Sequence, residues 1–182
     1  MAHNPSGRRD AGATTFRRAV PPPDAGPQIE ALRHALVGAR KGTDVPALID
    51  ALGHLAFLLT MMGQEAEAAP LVEEALDLSR QIGDRATEID GLLQLGTTRQ
   101  YMGERELAVR LFHEGLALVE ETGIRRQENF LQQHLGRCLV ELGRIDEARA
   151  AFETALALRK AAGSERRFIE STQAALDEIA SR

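Results

Sequence analysis

The chain contains 182 residues, 43% of them hydrophobic, with 28 Ala and 24 Leu against 7 Val and 8 Ile. Because Ala and Leu favour helices whereas β-branched residues favour strands, this composition predicts an all-α protein with a real core. The net charge of −5 argues against nucleic-acid or anionic-lipid partners. The single cysteine cannot form an internal disulfide, and no apolar run approaches the ~18 residues of a membrane span. We therefore expect a cytoplasmic protein without nucleic-acid or membrane partners.

Residues 1–26 differ from the rest of the chain. They include the run Pro21-Pro22-Pro23 and three glycines, and they show no helical apolar periodicity. This composition predicts a flexible tail. Our interpretation is an inert terminus or a cloning remnant, and the alternative is a weak arm that seeks an anion or a partner.

An internal repeat follows, since the chain aligns with itself at a shift of 40 residues. Two glycine registers, one leucine register and one alanine register recur: Gly63, Gly103 and Gly143; Gly83, Gly123 and Gly163; Leu55, Leu95 and Leu135; Ala68, Ala108 and Ala148. Each unit contains two amphipathic stripes, and each stripe is followed by a glycine. A residue just beyond a helix often adopts the left-handed conformation that favours glycine, so each unit is predicted to be a helix pair.

The elements can be assigned in chain order. We predict an N-terminal half-repeat helix within 27–43, helix pairs within 44–83, 84–123 and 124–163, and a polar-backed capping helix within 164–182. Asp84 and Ser164 are the predicted N-caps of the helices that follow them. Pro70 is expected to delay or kink its helix, and Arg99, which replaces a core leucine of the other units, is expected to lay its stem on the core.

The second unit resembles the tetratricopeptide repeat. It carries an apolar–small pair, a glycine, an alanine, an aromatic residue and a small residue at the family's spacing: Leu95-Gly96, Gly103, Ala108, Phe112 and Gly115. The other two units repeat the pattern, and the match covers roughly residues 28–181. The family's Trp, Tyr and Pro positions hold other residues, and the period is 40 residues rather than the usual 34.

The resemblance implies a right-handed α-solenoid of antiparallel helix pairs, with three repeats and flanking helices. It also implies that the first helix of each pair lines a concave groove that binds proteins or peptides. The long repeat is similar to those of bacterial peptide-sensing regulators, signalling ATPases and scaffold proteins. Those relatives carry an effector domain, and we expect none within the 26 residues that precede the array.

Catalytic and metal-binding patterns are missing from the sequence. It contains no P-loop, HExxH, GxSxG, CxxC or GxGxxG motif. His54 and His134 share one register but stand two repeats apart, so we expect no shared metal. Cys138 follows no glycine-rich turn and is predicted to be an unreactive, partly buried thiol. We therefore expect no enzyme activity, no metal and no cofactor.

Positions that point away from the core stripe of the first-type helices change from unit to unit and include large apolar residues. We predict that eight of them bind the partner: Phe57, Asp90, Leu93, Thr97, Tyr101, Phe130, Gln133 and Arg137. Exposed apolar side chains at such sites are typical of interfaces. Neighbouring helices could instead cover them, or they could form a self-association surface.

These observations predict a non-catalytic module that binds a partner protein or peptide in its concave groove. The alternatives are a structural homo-oligomer, or a sensor that binds a small signal peptide or molecule and acts on a separate regulator.

Overall fold

A computed structural model describes residues 20–181, and these form eight helices and no strand. The helices are α1 Ala25–Ala39, α2 Val45–Met61, α3 Glu65–Ile82, α4 Arg85–Tyr101, α5 Arg105–Thr122, α6 Glu128–Glu141, α7 Ile145–Ala161 and α8 Arg166–Ala180. Each helix packs antiparallel on the next, and α4 also contacts α2 and α6. The predicted all-α solenoid of helix pairs is confirmed.

The first helix begins earlier than the sequence suggests. Ala25 opens α1 and is buried, although the predicted tail extended to residue 26. The rest of the predicted tail up to residue 19 lies outside the described residues.

The 40-residue period is visible in the backbone. Glycines at positive φ follow six successive helices from α2 to α7: Gly63, Gly83, Gly103, Gly123, Gly143 and Gly163. Gly83, with φ of 72°, lets its own N–H and that of Asp84 bond to the last carbonyl groups of α3. The glycine-terminated helices predicted from the sequence are confirmed.

The core follows the repeat registers. Leu55, Leu95 and Leu135 are buried, and Ala68, Ala108 and Ala148 are completely enclosed where helices approach closely. Because each pair packs on its neighbours only, one stripe per helix is enough to form a continuous core.

Helix starts depend on an N-cap acceptor. The side chain of Asp84 accepts from Thr87 N at 3.1 Å, and Asp44 caps α2 in the same way. Ile124 holds the matching position of the third unit and offers no acceptor, and α6 begins only at Glu128. The prediction for Ser164 is wrong, because its N–H still bonds to Arg159 O at the end of α7 and α8 begins after Glu165.

Two further predictions concern single residues within helices. Pro70 does not delay α3, which already begins at Glu65, so its missing N–H falls near the first turn. Arg99 is mostly buried along its stem and places its guanidinium between Glu73 and Glu104, as expected.

Ion pairs link successive second-type helices on the outer side of the array. Arg40, directly after α1, contacts Glu74 on α3 at 2.5 Å, and Arg80 on α3 contacts Glu114 on α5 at 2.5 Å. Each member is at least a third exposed, so each pair contributes little to stability.

Candidate functional site

A groove of about 1100 Å³ runs along the first-type helices α2, α4 and α6 and reaches α8. The structure places every predicted partner-binding residue on its wall: Phe57, Asp90, Leu93, Thr97, Tyr101, Phe130, Gln133 and Arg137. They meet there because each lies on the side of its helix opposite the core stripe, and the three helices stack side by side. That they bind a partner stays a prediction.

The groove wall carries large apolar side chains that the fold does not cover. Phe57 is 54% exposed, and Leu93 and Tyr101 are half-buried. Full burial of a side chain such as that of Phe57 is worth roughly 1.5–3 kcal/mol, and the groove leaves about half of that ring in water. Phe130 is different, because Phe168 on α8 packs against it edge to face with ring centroids 5.6 Å apart. The alternative that a neighbouring helix covers these residues therefore applies to Phe130.

Gln133 is more enclosed than the prediction required. It is only 6% exposed, and its Oε1 accepts from Thr172 Oγ1 at 2.7 Å and from Arg159 Nη1 at 3.1 Å. Because α8 packs over this part of α6, Gln133 holds the helices together at the groove floor. Gln133 still lines the groove, and its predicted contact with a partner stays a prediction.

Arg159 is the residue of the groove that the sequence analysis missed. It is 2% exposed, and its Nε donates to Asn129 Oδ1 at 3.1 Å while Nη1 donates to Phe168 O at 2.8 Å. Its guanidinium carbon lies 5.5 Å from the ring centroids of both Phe130 and Phe168. Burial lowers the pKa of Arg159 to about 10, which leaves it charged at neutral pH.

A signal for Arg159 exists in the repeat registers. The matching positions hold Ser79 and Val119, both buried, so the third unit places a charged residue at a core register. A charge at a buried register needs partners, and here α8 and α6 supply them.

His134 lies beside this positive region. Its Nδ1 is 3.4 Å from Thr97 Oγ1, and its ring stacks at a tilt on Phe112. Burial, together with the charges of Arg137 and Arg159, lowers the pKa of His134 to about 3, so its ring is neutral at physiological pH. His54 is exposed, and within residues 20–181 no group of three potential ligands could hold a metal ion.

The charged side chains on the groove wall are unevenly distributed. Three arginines, Arg137, Arg159 and Arg167, line it together with one carboxylate, that of Asp90. Asp90 forms an ion pair with Arg126, which lies outside the lining. The net lining charge of three minus one, or +2, contrasts with −5 for the whole chain.

Cys138 is fully buried rather than partly buried as predicted. Burial raises the pKa of its thiol to about 12, so the reactive thiolate is not formed at neutral pH. Among the described helices, none has the length and apolar character that a membrane crossing requires.

A sequence-family model for the tetratricopeptide repeat matches residues 47–121 and again 87–161, which together make up more than half of the chain. No curated protein matches the sequence significantly.

Solved structures with the same fold show low sequence identity. The nearly identical TPR-like repeats of a kinesin light chain from Podosopora anserina align with a TM-score of 0.68 at 19% identity, over 86% of this chain and 78% of that one. Apo RapI aligns with a TM-score of 0.74 at 17% identity, over 87% and 44%. The type III secretion translocator chaperone SycD of Yersinia enterocolitica aligns with a TM-score of 0.59 at 23% identity, over 72% and 91%. At these identities the likeness concerns the fold alone.

Proposed function

Because the chain belongs to the tetratricopeptide repeat family, we propose that it is a non-catalytic interaction module that binds a segment of a partner protein in its groove. One observation carries this proposal. The variable positions of all three repeats line one continuous groove of about 1100 Å³, where Phe57 is exposed and Leu93 and Tyr101 are half-buried.

The size and chemistry of the groove fit a peptide segment. Ligand sites of proteins are concave, mostly apolar and supplied with a few oriented polar groups, and this groove has all three properties. A helical or extended segment could lay large side chains against Phe57, Leu93 and Tyr101. SycD, which shares the fold, is by name a chaperone for a translocator, and binding of another protein fits that example.

Affinity capture followed by measurement of the purified complex tests the proposal. The immobilised full chain should retain one protein from the source lysate, and a peptide from that protein should shift amide resonances of groove residues in NMR spectra. Light scattering of the free chain distinguishes the interaction module from the homo-oligomer alternative. The alternative predicts a mass that is a multiple, two or more, of 19.8 kDa. A partner whose binding shifts only the outer helices α3, α5 and α7 would contradict the groove.

A further inference from the structure

Within the described residues, Arg159 is a buried cation without an acidic partner. Its hydrogen-bond acceptors are all neutral: Asn129, Gln133, Thr172 and the carbonyl group of Phe168. Among residues 20–181 no carboxylate lies within ion-pair distance of its guanidinium, and its Nη2 donates no hydrogen bond. A buried charge is costly unless an opposite charge and hydrogen bonds compensate it.

The surroundings fix the orientation of the guanidinium. Nε and Nη1 are held by side chains of α6 and α8, and Phe130 and Phe168 flank the planar group. Arg159 also lines the groove, so the unused Nη2 group is the part of the side chain that remains for a ligand. The remaining N–H groups of Nη2 suit one oxygen of a carboxylate, which a guanidinium nitrogen binds through a charge-assisted hydrogen bond.

The charge of the groove favours an anion at this place. Arg137 and Arg167 also line the wall, and Asp90 is the only carboxylate among its described lining residues. The ion pairs of Arg167 with Glu165 and of Asp90 with Arg126 cancel in charge, so Arg137 and Arg159 account for the positive excess. The overall charge of the chain is negative, so this positive region is a local feature.

We propose that the groove selects a partner segment with a side-chain carboxylate next to an aromatic or large aliphatic residue, and that this carboxylate binds Arg159 Nη2. The inference rests on the proposed function and specifies the chemistry of the partner. The aromatic rings of Phe130 and Phe168 contact the neighbouring apolar side chain. Lining residues follow α8 from Arg167 to Ala175, on both sides of Thr172, so the ligand chain has room to continue beyond the carboxylate. This room favours an internal acidic side chain over a chain terminus.

A nucleic acid or a phosphorylated segment fits the site less well. Among the described lining residues there is no lysine, and Arg159 is almost fully enclosed. Sites for phosphate groups bring several Lys or Arg side chains onto one group, whereas Arg159 offers the single nitrogen Nη2 and Arg167 is paired with Glu165.

Titration of the full chain, labelled with ¹⁵N-arginine, tests the inference by NMR. The first probe is acetyl-aspartyl-phenylalanine amide, and its neutral isostere is acetyl-asparaginyl-phenylalanine amide. A third probe, acetyl-asparaginyl-phenylalanine with a free carboxyl end, represents a chain terminus, and inorganic phosphate represents a simple anion. We expect the aspartyl probe to shift the guanidinium resonances of Arg159 with millimolar affinity, at least tenfold tighter than the asparaginyl amide.

Variants separate this site from general attraction to a basic surface. Arg159→Gln should reduce the affinity of the aspartyl probe to that of the asparaginyl amide, because the charged donor Nη2 that receives the carboxylate is gone. Arg110→Gln removes the same charge from an exposed site on α5 and should change nothing. If Arg159→Gln does not fold, the wild-type resonance shifts decide the question by themselves.

The outcomes distinguish failure of the carboxylate site at Arg159 from failure of the groove as the partner-binding site. Equal binding of the aspartyl and asparaginyl amides at groove residues would overturn the carboxylate site and leave the groove intact. Shifts at exposed arginines only, tighter binding of the free-end probe, or equal binding of phosphate would each overturn the assignment. Failure of every probe to shift any groove residue would overturn both the site and the groove.

Discussion

The absence of a side chain at Gly96 on α4 makes room for the ring of Phe112 on α5. A Cβ placed on Gly96 would lie 2.4 Å from Phe112 Cε1, well inside van der Waals contact. The third repeat uses the same device, since a Cβ on Gly136 would lie 2.7 Å from Phe152 Cε1. The first repeat reverses it, with Ala56 opposite the smaller Val72, so the small and large positions compensate each other across the helix pair.

Gly96→Ala should therefore destabilise the protein by about 1–3 kcal/mol, although alanine favours helices more than glycine does. The enclosed ring of Phe112 cannot move aside. Gly53→Ala is the matched control, because its Cβ would meet only Gln94 Oε1 at 3.7 Å and should be neutral or slightly stabilising. Adding Phe112→Val to Gly96→Ala should recover part of the loss in denaturant titrations. Identical effects of the two alanine variants would contradict the packing argument.

Leu95→Ala should lower the free energy of unfolding by about 2–5 kcal/mol, because it opens a cavity between α4 and its neighbours. Met62→Ala, at an exposed position after α2, should change it by less than about 0.5 kcal/mol. Chemical denaturation of both variants measures the difference. The Leu95 variant is also expected to unfold less cooperatively, since contacts in a solenoid join only neighbouring units.

Deletion of residues 1–19 should leave the helical circular dichroism of the array and its melting midpoint nearly unchanged. These residues carry no periodic apolar face, and Ala25, the first buried residue of α1, is retained. A thermal melt of the shortened chain provides the measurement. A drop of several degrees would show that the segment packs on the array.

The double variant Tyr101→Ala and Arg137→Ala should weaken partner binding by roughly 2–4 kcal/mol, because few large side chains dominate an interface. Both residues line the groove on adjacent repeats and neither belongs to the core. Isothermal titration with a captured partner provides the measurement, and circular dichroism verifies the fold.

The control for this variant requires charged residues on the outer helices that are exposed and form no ion pair with a buried carboxylate. Arg110→Ala with Lys160→Ala meets this condition, since both side chains are exposed on α5 and α7. Arg80 does not, because it pairs at 3.0 Å with the buried carboxylate of Glu88. If the control loses binding while the groove variant retains it, the outer face binds the partner.

Stability should fall as the pH drops from 7 to 5, and His134 should contribute about 1–2 kcal/mol of that fall. The folded chain keeps its imidazole neutral because burial lowers the pKa of His134 to about 3, whereas the unfolded chain takes up a proton near pH 6.5. The contribution is thus fully present above the unfolded pKa of 6.5 and is lost progressively as the pH falls toward the folded pKa of about 3. Denaturant titrations at both pH values should show a smaller fall for His134→Gln, and an unchanged fall for His54→Gln at an exposed site.

The periodic pattern of glycine and apolar residues in the sequence predicts much of this fold. The glycine registers predicted six helix ends, and the stripe containing Leu55, Leu95 and Leu135 predicted the core. The opposite helix side predicted which residues line the groove. This worked because each repeat contacts only its neighbours, so position within the repeat determines burial.

The end of the groove depends on contacts that the repeat period does not encode. Gln133 was predicted as a contact residue and no prediction was made for Arg159, yet both are buried in one hydrogen-bond network. Thr172 and Phe168 complete that network from α8, which packs on α7 as α6 packs on α5 but carries different side chains. The late start of α6 follows from Ile124 and changes the helix length by one turn. Only the packing of α8 on α6 and α7 decided these features, because the burial of a polar side chain depends on which partners the tertiary fold brings to it.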